Sequence, residues 1–552
     1  MNTAPTGRRR PSETQPSARN RALACLAVLL VIATTLRLYF YSGLSGSDDT
    51  IYSLRGLQTA RGLILPSTYV GDLRYGVNLP VAGFLHLLGF NMAGLHAWAL
   101  LCSLGEIALV FVFAMRLWGL PAAALAASLL ATAPLHVHVG GRALADAPLA
   151  FFMTLAFVSF FFAERRAGRW LYALAGASVG FSWWIKPPAI IFGLVLIAYA
   201  ALQRRWAPVW WLVFASATMA ILLEWSLLGA LFGDPFVALH ALTSGISENF
   251  VKQDAPWGDH AAFFYFRQMF LDGRDMALMP LFALPGLWMV LLRPHSRGLL
   301  KSGYVVLWGV GMLAVFSFLP YSFSPLRLIP KQENYALMFF APVALLGGYG
   351  MSQIRPAAIR YLLLLASGVT GAALASLPQH QVRIGQATLE FTIAYALSHP
   401  QIVVYLPSQA LNVVRVRSLM AAQHGMPSNV RPLQELVDGN AGPASAPVVA
   451  FMHPRWPEMV RSRSIYSPEQ RIACLAPIGT LAVTSPDMGQ RILDGLVALR
   501  SVLRPVLHDV LGRQLGFAVY ARNWPDLAVY GCGVDAADFR PLQGPDGTWT
   551  GR

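Results

Sequence analysis

The sequence predicts a polytopic α-helical membrane protein of about eleven spanning helices, with an α/β domain after the last of them. Three observations carry this. The 552 residues are 55% hydrophobic and only 12% charged, about half the charge of an average soluble chain, and mean hydropathy is +0.50. Apolar runs of roughly 16–25 residues, long enough to cross a hydrocarbon core, recur along the chain to about residue 377. After about residue 379 they give way to short apolar strands alternating with helical patterns.

The first 20 residues read as a disordered cytoplasmic N-terminus. Arg8, Arg9, Arg10, Arg19 and Arg21 precede an apolar run from about Leu23 to Tyr41. No small-residue cleavage site closes that run, so it reads as a retained signal-anchor helix. The spans fall at 22–41, 94–115, 120–136, 146–163, 170–185, 188–202, 208–232, 276–292, 303–320, 335–351 and 358–377. With the N-terminus in the cytoplasm, the cytoplasmic connections carry Arg116, then Arg165, Arg166 and Arg169, then Arg204 and Arg205. Arg293, Arg297 and Lys301 follow, then Arg355 and Arg360, and Glu164 is almost the sole acid among them. The opposite connections hold most of the acids, mixed with a similar number of bases. This is the positive-inside pattern, and it accounts for the formal charge of +15 without nucleic acid.

The reading is a multi-pass protein of the inner (plasma) membrane. A transmembrane domain spans 21–378, with large outer loops at 42–93 and 233–275. The odd span count puts residues 379–552 outside as an extracytoplasmic α/β domain. Only Lys186-Pro187-Pro188 separates the fifth and sixth spans, and the charges on either side require both. In the first outer loop, Leu54, Leu57, Ala60 and Leu63-Ile64 have the spacing of a helix lying on the membrane surface. Pro80–Phe90 is apolar but too short to span, so it also belongs in the interface. The loop at 233–275 is polar and aromatic.

In the tail, Gln401–Leu406, Pro447–Met452, Gly479–Thr484 and Gly516–Tyr520 read as buried strands. Ser408–Gln423 and Gln490–Leu503 read as helices. Cys25 and Cys102 fall in spans and act as small apolar residues. Cys474 and Cys532 are free to form a disulfide if the tail is extracytoplasmic.

Several ionisable residues gather at span ends on the outer side. Asp48-Asp49 follow the first span. Arg142 and Asp146, in Arg142-Ala-Leu-Ala-Asp146-Ala-Pro148, precede the fourth. Lys186 joins the fifth and sixth, and Lys331 to Tyr335 precede the tenth. One charge of this kind simply marks a helix end in water. A set of acids and cations on one face of the membrane points to a site, because boundary charges are costly unless they face a cavity. The chemistry that suits the set is group transfer from a lipid phosphate. A carboxylate can take the proton of an attacking hydroxyl, and Arg or Lys can hold the charge on a departing phosphate.

The same residues carry a family resemblance. Arg37…Asp48-Asp49-Thr50-Ile51-Tyr52…Arg61-Gly62 resembles the first-loop pattern of integral-membrane glycosyltransferases with the C-type fold (GT-C). The nearest group is that of the protein mannosyltransferases and lipid A aminoarabinose transferases. Leu73-Arg74 to Leu79-Pro80 is similar to that group's basic residue and proline ahead of an apolar stretch, although its usual Pro-Pro is missing. Arg142-x-x-x-Asp146-x-Pro148 looks like its second acidic motif, and Lys186-Pro187 like its lysine between spans. Ser247-Glu248-Asn249 and His260 to Tyr265 resemble its late loop. Lys331 to Tyr335 followed by Pro342 resembles its tenth-span motif, with Asn334 in place of an arginine. The resemblance covers roughly residues 22–377, and the tail has no such match.

The resemblance implies inverting transfer of one sugar from a polyprenyl-phosphate-linked donor to an extracytoplasmic acceptor, which is a protein, a lipid or a glycan. On that reading Asp48 is the general base, Asp49 assists, and Asp146 is an acceptor-side or supporting carboxylate. Arg74, Lys186 and Lys331 bind the donor phosphate. Tyr52, Arg142, Glu248, His260 and Tyr335 are further pocket residues. A divalent cation stays open, with Glu248 and His260 as weak ligands, since their spacing is not diagnostic.

The pair in His136-Val137-His138 would share a face only in an extended segment, so it is expected in a water-facing loop. Trp183-Trp184 and Trp210-Trp211 fit an interfacial aromatic belt. Two other classes compete. A transporter or flippase of lipid-linked glycan precursors predicts paired broken helices and a repeat between halves, and neither is visible. A non-catalytic cell-envelope scaffold leaves Asp48, Asp146 and Lys186 without a role.

Overall fold

The computed structural model describes residues 16–44, 46–67, 69–166, 168–187, 191–204, 206–252, 261–292, 302–324, 326–329, 331–421, 428–433, 435, 447–452, 476–481, 489–492, 494–495, 498 and 527–534. The helices are α1 (Pro16–Tyr39), α2 (Asp48–Ala60), α3 (Tyr75–Leu88), α4 (Met92–Trp118), α5 (Leu120–Thr132) and α6 (Pro134–Gly140). They continue with α7 (Asp146–Arg166), α8 (Arg169–Ile185), α9 (Ile191–Gln203), α10 (Trp211–Phe232), α11 (Val237–Lys252) and α12 (Phe264–Arg267). The last are α13 (Met279–Leu292), α14 (Ser302–Phe318), α15 (Leu337–Ser352), α16 (Ala357–Ser398) and α17 (Ser408–Met420).

Each expected span coincides with a helix. Among the described residues, six helices are long and apolar enough to cross a membrane, and α5 with α6 makes a seventh if the two are one bent span. Shorter apolar helices, α3, α9, α13 and α14, accompany them. The architecture is that of a multi-pass membrane protein. Its centre is α15, whose residues from Leu337 to Met351 are all buried, packed against α5, α7 and α13. The spans of α1, α10 and α16 are apolar yet only 11–17% buried, so their apolar surface faces outward, where a bilayer would cover it.

Trp118 Nε1 donates to Ser302 Oγ at 3.0 Å, and Trp118 stacks on Tyr349 with ring centroids 4.8 Å apart. Glu164 accepts from the Tyr172 hydroxyl at 2.7 Å and from Trp210 Nε1 at 2.6 Å.

Two departures from the sequence reading have clear causes. The run 120–136 is not one straight span, because Pro134 cannot donate to the ladder of α5 and restarts the chain as the first residue of α6. The two helices meet at 67°. His136 and His138 therefore lie in a short buried helix, with His136 wholly inaccessible, and not in a water-facing loop. The final span also runs on. α16 is one helix to Ser398 with Pro378 inside it.

The tail contains a five-stranded mixed sheet. A hairpin of β1 (Pro320–Phe323) and β2 (Leu326–Leu328) precedes it, between α14 and α15. The sheet itself is built from β3 (Val403–Leu406), β4 (Val430–Pro432), β5 (Val448–Met452), β6 (Ala476–Leu481) and β7 (Leu527–Cys532), in the order β4-β3-β5-β7-β6. β3 is parallel to β4 and β5, whereas β7 is antiparallel to β5 and β6. Val404, Leu406, Val449, Phe451 and Val529 form its buried face.

β3 and β5 fall where the apolar runs place them. β6 starts three residues earlier than the run at Gly479, and Gly516–Tyr520 lies outside the described residues. β4, Val430-Arg431-Pro432, carries no run strong enough to have marked it, and β7, with Leu527-Ala-Val-Tyr530, is a strand that the sequence reading does not include. Cys25 and Cys102 are free. Cys532 is disulfide-bonded, and Cys474 lies outside the described residues.

Candidate active site

The acids that the sequence places at one face converge on a cavity of about 590 Å³, well within the size of small-ligand sites. Asp48, the first residue of α2, and Asp146, the first of α7, line it, with His138 of α6 and Arg142 in the turn after it. Arg274, Asp275, Glu333 and Asn334 also line it, and Leu374, Leu377 and Pro378 of α16 add apolar surface. Both acids open helices, where the unpaired amides and the helix dipole favour negative charge.

Asp48 and Asp49 have different surroundings. Asp49 is wholly buried, and Arg142 donates to its Oδ2 at 2.7 Å. Arg142 also lies 2.8 Å from His138 Nε2, so the guanidinium ties the first turn of α2 to α6. Asp48 is half-buried and faces the cavity, with the Tyr69 hydroxyl 3.5 Å from its Oδ1. Of the pair, Asp48 is the one a ligand can reach.

Asp146 is held from two sides. Lys186 Nζ sits 2.5 Å from its Oδ1, and Asn334 Nδ2 donates to the same oxygen at 2.9 Å. Lys186 is 2% exposed, and its ammonium lies 5.1 Å over the Tyr335 ring. Burial lowers the proton affinity of Lys186, Asp146 opposes that, and the charge of Arg74 adds to it.

Arg74 donates to the Tyr52 hydroxyl, and its buried Nε has no hydrogen-bond partner among the described residues. Burial pulls the Arg74 guanidinium down, but Tyr52, Tyr335, Asp48 and Asp146 together move it above its ordinary value. Burial likewise holds the Tyr52 hydroxyl well above its usual range, so it stays neutral. Arg74, Lys186, Asp48, Asp146, Tyr52 and Tyr335 thus form one electrostatic neighbourhood, as their mutual effects require.

Lys331 is elsewhere. Its ammonium donates to the carbonyl of Phe316 and, at 3.0 Å, to that of Ser317. It thereby satisfies carbonyls at the end of α14, and burial lowers it to about 8. It does not line the cavity, although Gln332, Glu333 and Asn334 just after it do. His260 lies outside the described residues. Glu248 belongs to α11, and its side chain is likewise outside them. Among the described residues, no group of three or more His, Cys, Asp or Glu could hold a metal ion.

The structure adds residues that the sequence did not single out. Arg274 pairs with Glu333 and lies 3.8 Å from Asp275, and Gln268 donates to Asp275 at 2.6 Å. Beneath the cavity lies a second buried network. Arg37 donates to Ser103 Oγ at 2.7 Å and lies 2.5 Å from His136 Nδ1. His136 Nε2 is 3.0 Å from Glu106, which also accepts from Thr154 at 3.0 Å. The signal was present in the sequence, since Arg37 and Glu106 are charges inside apolar runs, and such charges need a partner.

With this geometry in place, known proteins can be compared. A solved structure, ArnT from Cupriavidus metallidurans in the apo state, superposes with a TM-score of 0.53 at 15% identity, covering 81% of this chain and 95% of that one. The same protein bound to undecaprenyl phosphate gives 0.51 at 16% identity, covering 85% and 97%. The chain has the fold of these two ArnT structures.

The resemblance expected from the sequence is borne out. Residues 77–228 match the family model described as dolichyl-phosphate-mannose-protein mannosyltransferase, a stretch that runs from α3 into α10. An undecaprenyl phosphate-alpha-4-amino-4-deoxy-L-arabinose arabinosyl transferase of Pseudomonas paraeruginosa is 28% identical over 375 residues, and that of Pseudomonas aeruginosa is 27% identical. The chain spans about 62% of the length of these relatives.

Proposed function

We propose that this GT-C protein is an inverting glycosyltransferase that moves a sugar from a polyprenyl-phosphate-linked donor to an extracytoplasmic acceptor. The observation that supports this most is a cavity lined by an accessible carboxylate, Asp48, with two buried cations behind its lining, Arg74 and Lys186, each close enough to feel that charge. The named activities of the sequence relatives and the undecaprenyl phosphate bound in one solved relative agree with it.

In the proposed reaction the Asp48 carboxylate takes the proton of an acceptor hydroxyl as that oxygen attacks the anomeric carbon. The bond between that carbon and the phosphate oxygen breaks on the opposite face. Polyprenyl phosphate leaves with the electron pair, and the new glycosidic bond has inverted configuration. Arg74 and Lys186 stabilise the charge that builds on the phosphate. Lys186 has three donor hydrogens and gives one to Asp146, so it can bridge that carboxylate and the phosphate. Asp49 and Arg142 hold the start of α2, and Asp146 with Asn334 holds Lys186. Tyr52 positions Arg74, Tyr335 lies under Lys186, and Lys331 fixes the chain that leads to Asn334.

The N-terminus is placed in the cytoplasm and the tail, from about residue 379, outside. The positive-inside charge pattern supports this, as does the disulfide at Cys532, a bond that persists in oxidising compartments.

The test is a transfer assay with the full chain in lipid nanodiscs, a set of undecaprenyl-phosphate sugars, and hydroxyl acceptors. The expected products are undecaprenyl monophosphate and a glycoside of the opposite anomeric configuration, read by mass spectrometry and NMR. Retained configuration would remove the single-displacement mechanism. No donor consumption with any sugar would favour a transporter.

A further inference from the structure

The loop that carries Asp48 is held at both ends by residues that follow the last spanning stretch. At its front, Gln386 in the outer part of α16 donates from Nε2 to the Leu44 carbonyl at 2.9 Å, four residues ahead of Asp48. The neighbouring Gly43 has φ +76°, and a Cβ there would collide with the Gln386 amide, so the loop backbone lies directly on that side chain. At the back, Arg61 follows the last residue of α2. It donates to the Leu419 carbonyl of α17, and its guanidinium lies 4.9 Å over the Phe90 ring. α17 packs along α2 and also contacts β3, which joins the surface helix to the mixed sheet.

We infer that the segment from Gln386 through α17 is a clamp on α2, and that Gln386 is a positioning residue for Asp48. This rests on the reading of Asp48 as the base. Asp49 is fixed by the buried Arg142 ion pair, but Asp48 has a hydroxyl at 3.5 Å as its side-chain contact among the described residues. Its place is therefore set by the backbone of α2, and that backbone is anchored at Leu44 and Arg61. The tail belongs to the catalytic unit through these two anchors, whatever else it binds.

The experiment uses the full chain in nanodiscs with whichever undecaprenyl-phosphate sugar the wild type consumes. Gln386→Ala is expected to lower kcat by roughly 10- to 100-fold, the scale of a displacement of about 1 Å at a reacting group. The donor KM should stay within about twofold and the melting temperature should be unchanged, since the anchor acts on geometry and not on binding. Gln386→Lys keeps a donor at this position and should recover most of kcat, whereas Gln386→Glu should not. Gly43→Ala should fall with Gln386→Ala, from the other side of the same contact.

Wild-type kcat in both Gln386→Ala and Gly43→Ala would overturn the clamp, as would equal activity of the Lys and Glu variants. Those outcomes leave the transferase reading intact. A wild type that consumes no donor would remove that reading, and the clamp with it.

Discussion

Asp48 and Asp49 are one backbone unit apart and in opposite situations, which sets what each can do. A carboxylate engaged at 2.7 Å by a buried arginine cannot also approach a substrate hydroxyl without giving up that ion pair. Removing one member of such a pair leaves a buried charge uncompensated, a loss of about 3–5 kcal/mol. Arg142→Ala should therefore lower the unfolding free energy of the protein in mild detergent by that order, whereas Asp48→Asn should leave it near wild type. Equal stability of the two variants would show that Asp49 and Arg142 do not form a structural pair.

The sequence made the acid pair visible, but not which acid is free. Two adjacent aspartates look alike until the helix phase and Arg142 are known. Lys331 is the opposite lesson. Its motif suggested a phosphate ligand, yet its ammonium is engaged by the carbonyls of Phe316 and Ser317. A lysine after a hairpin gives no sequence signal for such a cap, because β1 and β2 fold it back onto the end of α14.

At the scale of elements, the break between α5 and α6 does most to shape the site. Hydropathy alone reads 120–136 as one span, since the proline interrupts the hydrogen-bond ladder and not the apolar run. The turn of 67° carries His138 and Arg142 to the cavity and leaves His136 facing inward to Glu106 and Arg37. Arg37 NH1 also lies 3.4 Å from the carbonyl of Ala131, one of the groups that the break frees from the ladder.

Gly140 lets this arrangement close, because a Cβ there would meet Ser103 Oγ and Arg37 Nε. Glu106→Ala would strand Arg37 and His136 among apolar helices. It should cost stability on the order of 3–5 kcal/mol, seen as loss of the monodisperse protein on size exclusion. Gly140→Leu should act in the same direction by overpacking, by about 1–3 kcal/mol. Full stability of both variants would contradict a structural role for the buried network.

Along the whole chain, the connections between spans alternate between basic and acid-containing, and the charged residues that line the cavity come from the acid-containing set. Span positions were legible because a helix in lipid must satisfy its backbone internally and show apolar side chains outward, so each leaves a run in the sequence. The tail was less legible. β3, β5 and β7 are inner strands and carry apolar runs, while β4, an edge strand of three residues, Val430-Arg431-Pro432, carries none.

Orientation follows from charge and can be checked in intact cells with a membrane-impermeant maleimide. Leu65→Cys, in the exposed stretch after α2, should label, and Gly168→Cys, between α7 and α8, should not. The reverse pattern would place the cavity in the cytoplasm, facing soluble nucleotide sugars, and the lipid-phosphate donor would lose its rationale.

The central claim is that Asp48 is the base that activates the acceptor. It is tested most directly by measuring undecaprenyl phosphate released from a sugar-charged donor by wild type and by Asp48→Asn at equal, verified folding. The account predicts a loss of at least about 100-fold, the lower end of general-base contributions, with donor binding retained. Turnover by Asp48→Asn at the wild-type rate would contradict it.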